Sequence, residues 1–222
     1  MNIKSGLLLL ICFSSLAIAK EEGVSLDRTR VVFKNGSLES SVGFSNQLKV
    51  PVLVKTVFHD SKGNLSEDFL ALPPLYRLDS GKENRIRLVK VGKLPEDKES
   101  VYFITVTAYP IVHSAGNSLR YGLAQRIKLF YRPQGVTRDC RYVANHLVWK
   151  IDGNSVTVSN PTDVSISLTE LTLGDKNTKL KMLLPNETAN YKINVNNTRQ
   201  DSISFKYIDE YGSKRNQTIN IK

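Results

Sequence analysis

The stretch Ser155-Val156-Thr157-Val158-Ser159 alternates small polar residues with β-branched apolar ones. Residues 203–207 repeat the pattern as Ile-Ser-Phe-Lys-Tyr. Successive side chains of a β-strand point to opposite faces of the sheet, so this alternation turns every second side chain toward a core. Both stretches therefore predict half-buried strands, and they indicate an all-β fold for the chain around them.

Short apolar or alternating runs of the same kind fill the chain before residue 135. Turn-forming residues separate them, such as Lys34-Asn35-Gly36-Ser37 and Asp79-Ser80-Gly81. Apolar residues do not recur there at helical spacing over several turns. This punctuation predicts an antiparallel β-sandwich. The predicted strands are 24–33, 38–46, 52–58, 75–78, 86–91, 101–112 and 119–131.

A break at Arg132-Pro133-Gln134-Gly135 separates these strands from a second set. The fold class predicted is all-β, with two β-sandwich domains joined by a short linker. The predicted domains are 20–135 and 136–222. The second set of predicted strands is 142–151, 155–159, 165–173, 178–184, 191–195, 202–208 and 217–221.

The N-terminus has the pattern of a secretory signal peptide. A positive start is followed by an apolar run from Leu7 to Phe13 and by the small residues of Ala17-Ile18-Ala19. We therefore expect residues 1–19 to be removed and the exported chain to begin at Lys20. A lipoprotein is the alternative, but Ile11 stands where a small residue would have to precede Cys12.

Composition excludes several classes of protein. The 222 residues include 31 Lys and Arg against 21 Asp and Glu, a formal net charge of +10. An exported protein rarely meets nucleic acid, so this charge favours an anionic group on a protein partner. With Cys12 in the signal peptide, Cys140 is left as a lone thiol, for which burial near the domain junction is expected. None of the three histidines stands at ligand spacing from another, which argues against a zinc enzyme. No metal and no cofactor are expected.

No catalytic motif is present. The sequence has no Gly-x-Ser-x-Gly elbow, no His-Glu-x-x-His, no phosphate-binding glycine loop and no Cys-x-x-Cys. The chain is therefore predicted not to be an enzyme. Two alternatives stay open: a secreted fimbrial subunit or adhesin, and a periplasmic hydrolase with β-sandwich domains. The first would normally carry an N-terminal donor extension, and the second a nucleophile motif.

Six motifs follow one another along the exported chain: Asp27-Arg28-Thr29-Arg30, Leu72-Pro73-Pro74-Leu75, Leu94-Pro95-Glu96, Ile127-Lys128-Leu129-Phe130-Tyr131-Arg132-Pro133, Asn160-Pro161-Thr162 and Asp209-Glu210-Tyr211-Gly212. The most specific of them is the run that closes the first domain. In this order they closely resemble the periplasmic chaperones of the chaperone–usher pilus pathway, the PapD-like family, whose members are built from two immunoglobulin-like β-sandwich domains at an angle. The resemblance covers nearly the whole exported chain.

The resemblance implies a function and a mechanism. Such a chaperone folds and caps pilus subunits, one to one, in the periplasm of a Gram-negative cell and delivers them to an outer-membrane usher. It lends the subunit its last first-domain strand, a process called donor-strand complementation. Here that strand is expected over 117–131, with Leu119, Tyr121 and Leu123 as the donated side chains. Packing of these three in their own domain is the alternative.

Two further sets of residues follow from the resemblance. Arg30 and Lys128 are implied as the anchor for the C-terminal carboxylate of the bound subunit. Glu99, Arg132 and Glu210 are implied as an ion network that holds the two domains at an angle; Glu210 stands where the family usually has Asp. No nucleic acid and no stable insertion into a membrane are expected.

Overall fold

The computed structural model describes residues 22–34, 36–37, 39–112, 121–193 and 202–220. Within these residues the fold consists of β-strands and one short helix. None of the described helices is long and apolar enough to cross a membrane. The predicted signal peptide, with Cys12, lies outside the described residues.

Two facing sheets form the first domain. One has the strand order β1-β3-β8-β6; the other has the order β2-β10-β9-β4-β5, with β7 also paired to β4. The strands are β1 (Val24–Leu26), β2 (Arg30–Lys34), β3 (Glu39–Asn46), β4 (Val52–His59), β5 (Leu65–Ser66), β6 (Phe69–Leu72), β7 (Leu75–Leu78), β8 (Lys82–Lys90), β9 (Ser100–Pro110) and β10 (Leu123–Arg132).

The core of this domain follows from the alternation in its strands. In β4, for example, Val52, Val54 and Phe58 are buried on one face. An aromatic cluster fills the centre of this core. The centroid of the Phe69 ring lies 5.0 Å from that of Tyr102 and 5.6 Å from that of Phe33, and both pairs meet edge to face. Such pairs stabilise the core beyond the area that they bury.

The first predicted strand, 24–33, is in fact two strands. β1 pairs antiparallel with β3 in one sheet, whereas β2 pairs parallel with β10 in the other. Residues 27–29 carry the chain between the sheets, and the Asp27 N–H donates to the Gly43 carbonyl at 3.0 Å on the way. Because both halves are apolar, the pattern alone did not reveal the crossing.

Two smaller sheets form the second domain, with strand orders β11-β12-β15 and β14-β13-β16-β17. Their core includes Leu171, Leu173 and Phe205. The elements are α1 (Cys140–His146), β11 (Val148–Asp152), β12 (Ser155–Ser159), β13 (Ser167–Leu173), β14 (Lys176–Lys179), β15 (Thr188–Lys192), β16 (Ser202–Ile208) and β17 (Lys214–Asn220).

The predicted strand at 142–151 was wrong in its first half, which is helical. The Asp139 side chain caps helix α1 by accepting hydrogen bonds from the N–H groups of Arg141 and Tyr142, both at 3.0 Å. One face of the helix, with Val143 and Ala144, packs into the second core. The signal was present as a capping residue followed by apolar residues at helical spacing, but it is only two turns long.

The buried residues form two separate clusters. The last member of the first is Tyr131, and the first member of the second is Val136. The predicted domain boundary after residue 135 falls between them. Backbone contacts also join the domains, since the Glu99 N–H donates to the Asp163 carbonyl at 2.8 Å.

Candidate functional site

Strand β10 is paired along only part of its length on one side. Residues 123–131 pair antiparallel with β9, but β2 covers β10 only from Lys128 to Arg132. Within the described residues, the segment 123–127 therefore has no strand paired with its second side, although the Gln125 side chain donates to the Val24 carbonyl of β1 at 2.9 Å. The free N–H and C=O groups of such an edge can pair with a strand from another chain.

The side chains of this strand change from buried to exposed toward its start. Ile127 and Leu129 lie in the first core, whereas Leu123, on the same face, is 42% exposed and Tyr121 is 71% exposed. The third predicted donated residue, Leu119, lies outside the described residues. This face thus changes from buried to exposed along the strand, and Gln125, with its side-chain hydrogen bond to β1, interrupts its apolar residues.

The described strand is shorter than the one predicted at 117–131. It begins at Leu123, and residues 121–122 precede it without strand pairing. The partner strand β9 ends at Pro110, which has no N–H to donate. The ladder therefore stops where Tyr121 would pair with this proline.

Arg30 and Lys128 lie side by side in the parallel ladder of β2 and β10, facing the second domain. The Lys128 Nζ donates to the Ser167 hydroxyl at 3.1 Å, and the Arg30 Nη1 approaches the same oxygen at 3.4 Å. Arg30 also donates to the Ile208 carbonyl at 3.2 Å. Two cations of the first domain therefore contact β13 and β16 of the second.

Within the part of the chain that the structure describes, these cations have no ion-pair partner, although Asp209 lies near enough to Arg30 to favour its charged form. Burial, and to a smaller extent Arg30, lower the pKa of Lys128 to about 8. Burial also lowers the pKa of Arg30, and its Nε is buried without a hydrogen-bond partner. Among the described residues, no carboxylate forms an ion pair with either side chain. Such a pair is suited to bind an anion, and a carboxylate matches the guanidinium geometry.

The structure brings Glu99, Arg132 and Glu210 together between the domains. Arg132 donates from Nε and Nη2 to Glu99 Oε2 at 2.9 and 2.6 Å, and its Nη1 lies 2.6 Å from Glu210 Oε1. The second oxygen of Glu99 accepts from the N–H of Ser165 at 3.0 Å. The arginine thus links a carboxylate of each domain.

Burial distinguishes this network from the surface ion pairs of the chain. The side chain of Glu99 is 0% exposed and that of Arg132 is 8% exposed. Burial raises the pKa of the Glu99 carboxyl, and the adjacent Arg132 opposes that rise. Loss of one partner would leave an uncompensated buried charge, which is strongly destabilising.

Cys140 is buried and unpaired at the same junction. It lines, with Arg30, Arg132 and Glu210, a cavity of about 10 Å³, which holds at most a single water. Burial raises the pKa of its thiol to about 11, so the unreactive protonated form prevails. No group of acidic, His or Cys side chains within the described ranges is arranged to hold a metal ion.

Sequence reasoning missed Ser167, the residue that both cations contact. A serine in a strand carries no signal of its own. It could have been found only by pairing the two domains in space, which the sequence does not encode locally.

Two family models match the chain. Residues 23–137 match the model described as "Pili and flagellar-assembly chaperone, PapD N-terminal domain". Residues 142–219 match the model described as "Pili assembly chaperone PapD, C-terminal domain". The chain belongs to the PapD family of pilus-assembly chaperones. The predicted family and the predicted pair of β-sandwiches are thereby confirmed, and the chain is a chaperone, not an enzyme.

Curated relatives agree with this assignment. The chain is 33% identical to the chaperone protein PmfD of Proteus mirabilis, and the aligned region covers 96% of this chain and 90% of PmfD. It is 32% identical over 214 residues to the probable fimbrial chaperone ElfD of Escherichia coli, covering 95% and 91%. This PapD-family chain is accordingly a fimbrial chaperone.

Solved structures of the family have the same fold. A chain in the Salmonella enterica complex of the SafA pilin with the SafB chaperone superposes with a TM-score of 0.81 at 26% identity, covering 91% of this chain and 98% of that one. The E. coli chaperone DraB gives a TM-score of 0.80 at 28% identity, covering 90% and 99%.

Proposed function

We propose that this chaperone captures pilus subunits in the periplasm by donor-strand complementation and passes them to an outer-membrane usher. The donated segment is the start of β10, with Leu123, together with the residues before it, which include Leu119 and Tyr121. Arg30 and Lys128 bind the subunit's C-terminal carboxylate. The network of Glu99, Arg132 and Glu210 holds the domains in the orientation that this site requires.

The free edge of β10 is the observation that carries the proposal. Residues 123–127 have backbone groups on one side that pair with no strand, and the exposed apolar side chains of Leu123 and Tyr121 stand at the start of this edge. A subunit that lacks one strand of its sandwich needs both. A subunit without its last strand exposes a groove of core side chains, which would aggregate unless filled. Pairing with β10 satisfies the backbone groups of both partners.

The cleft between the domains supports the register of that pairing. If the subunit strand paired with β10 one residue out of register, every donated side chain would point to the wrong face. One position of the subunit strand must therefore be anchored to set the register. Arg30 and Lys128 lie on the same two strands, next to the end of the free edge. A carboxylate bound there would set the position of the whole subunit strand.

Two solved relatives bear on the partner and the compartment. One was solved as a complex of a pilin with its chaperone, at 26% identity to this chain. Another, SfaE, is described as a periplasmic chaperone, at 27% identity and a TM-score of 0.73. We propose that this chain likewise binds a pilus subunit and acts in the periplasm. The usher is proposed because the chaperones that this chain resembles deliver their subunits to one.

Isolation of the exported chain from periplasmic extract tests the proposal. Native mass spectrometry should detect one-to-one complexes with small pilin-like proteins. A Leu123→Ser variant should lose them, while a Val148→Ala variant, changed at an exposed apolar residue of the second domain, should keep them. A wild-type chain without bound subunits in a cell that makes pili would contradict the proposed function.

A further inference from the structure

The ring of Tyr109 lies directly over Gly122, one residue before the free edge begins. Extension of the β9–β10 register beyond Leu123 and Ala108 places these two residues opposite each other. A Cβ built on Gly122 would lie 2.9 Å from Cε1 and 3.0 Å from Cδ1 of the tyrosine. The ring therefore occupies the space of a side chain at position 122.

The glycine is required for this close approach and not for its backbone conformation. Gly122 does not have the positive φ angle that Gly81 and Gly153 have. Another residue could adopt its backbone angles, but its Cβ would meet the ring. In strands, a glycine often marks such a close approach.

A bare glycine would weaken the segment that is to be donated. Glycine has more conformational freedom than other residues, and it offers no side chain for packing. An aromatic ring from the adjacent strand that covers a glycine compensates for both effects. β2 does not reach this end of β10, and the Tyr109 ring is the nearest side chain to the Cβ position of Gly122, with the Thr107 methyl group next at 3.4 Å.

We propose that Tyr109 is a positioning residue for subunit capture, holding the start of the donated segment extended by packing across Gly122. The two residues on either side of the glycine, Tyr121 and Leu123, then point to the opposite face and remain available to the subunit. This inference rests on the proposed function. It adds a contact between chaperone residues that prepares the segment before the subunit binds.

Capture of the subunit that copurifies with the wild-type chain provides the test. Tyr109→Ala should weaken capture by about 2- to 5-fold, the effect of freeing one glycine. Tyr109→Phe keeps the ring and should bind like the wild type, as should the distant control Val148→Ala. Since the ring is 47% exposed, the melting temperature should barely change in Tyr109→Ala.

The pairing of the two residues gives a second measurement. Gly122→Ala should weaken capture because its Cβ meets the ring, and the double variant Tyr109→Ala/Gly122→Ala should bind better than Gly122→Ala alone. Amide hydrogen exchange at residues 121–124 should rise in Tyr109→Ala and stay unchanged in Tyr109→Phe.

Two results would overturn the inference while leaving the proposed function intact. One is wild-type capture by Tyr109→Ala when Leu123→Ser has lost it. The other is a double variant whose loss equals the sum of the two single losses. Failure of the wild-type chain to capture any subunit would instead count against the proposed function itself.

Discussion

Lys128 lies opposite Arg30 in the parallel ladder of β10 and β2, and both side chains contact one acceptor, the Ser167 hydroxyl. Two adjacent cations repel each other, and burial deprives them of water. A neutral hydroxyl compensates for this only in part. An anion placed between them would remove the repulsion and satisfy the remaining donors, which is why we assign the carboxylate of the subunit to this position.

Subunit binding should weaken as the pH rises through about 8. Burial and Arg30 lower the pKa of Lys128 to that value, so the free chain carries a neutral lysine at higher pH. A bound carboxylate favours the charged lysine, so binding takes up a proton. Affinity should then fall by up to about tenfold per pH unit above 8, which calorimetry can measure.

A Lys128→Arg variant is the control for this effect. Arginine stays charged throughout the range, so the decline above pH 8 should disappear even if the affinity itself changes. An unchanged decline in this variant would show that another group titrates.

Leu123→Ser should abolish or strongly weaken capture while the free chaperone unfolds at nearly the wild-type temperature. Leu123 is half-exposed, so its truncation removes little buried area. Ile127→Ser is the matched control, since Ile127 lies on the same face of the same strand but in the core. It should destabilise the fold by about 2–5 kcal/mol. Equal destabilisation by both variants would mean that Leu123 is a core residue.

The sandwiches were predictable from the sequence because alternation in short strands reports burial directly. The two cores around Phe69 and Phe205 follow from that pattern. Helix α1 was missed because its two turns gave too short a period. The crossing between β1 and β2 was missed because both strands are apolar.

The site was accessible only through the family motifs. Neither Arg30 nor Lys128 differs from an ordinary surface cation in the sequence; their adjacency depends on a parallel pairing of strands nearly a hundred residues apart. Ser167 and the contact of Tyr109 with Gly122 depend on long-range packing as well, and no motif marked them.

Arg132→Ala should destabilise the chain by about 3–5 kcal/mol, because it leaves the Glu99 carboxylate buried without its partner. Arg138→Ala is the control. Its pair with Asp163 is partly exposed, with side-chain exposures of 48% and 26%, and its loss should cost less than about 1 kcal/mol. Denaturant unfolding measures both. Equal effects would show that the buried network does not stabilise the junction.

Cys140 should resist alkylation in the folded chain at neutral pH, because the thiol is buried and its pKa is raised to about 11. Modification should appear only on unfolding, as measured by intact mass. A Cys140→Ser variant should still capture subunits. Rapid labelling of the native chain, or a covalent dimer needed for capture, would contradict this account.

The most direct test of the central claim compares a peptide from a subunit's C-terminus as the free acid and as the amide. With the wild-type chaperone, amidation should weaken binding about as much as Arg30→Ala does, by roughly 30-fold or more, corresponding to at least about 2 kcal/mol. With Arg126→Ala, which removes an exposed cation from β10, the neighbour of Arg30's strand, the effect of amidation should persist. With Arg30→Ala, amidation should cost little further. If the losses from Arg30→Ala and from amidation simply add, Arg30 does not bind the carboxylate, and the anchor assigned to this cleft is wrong.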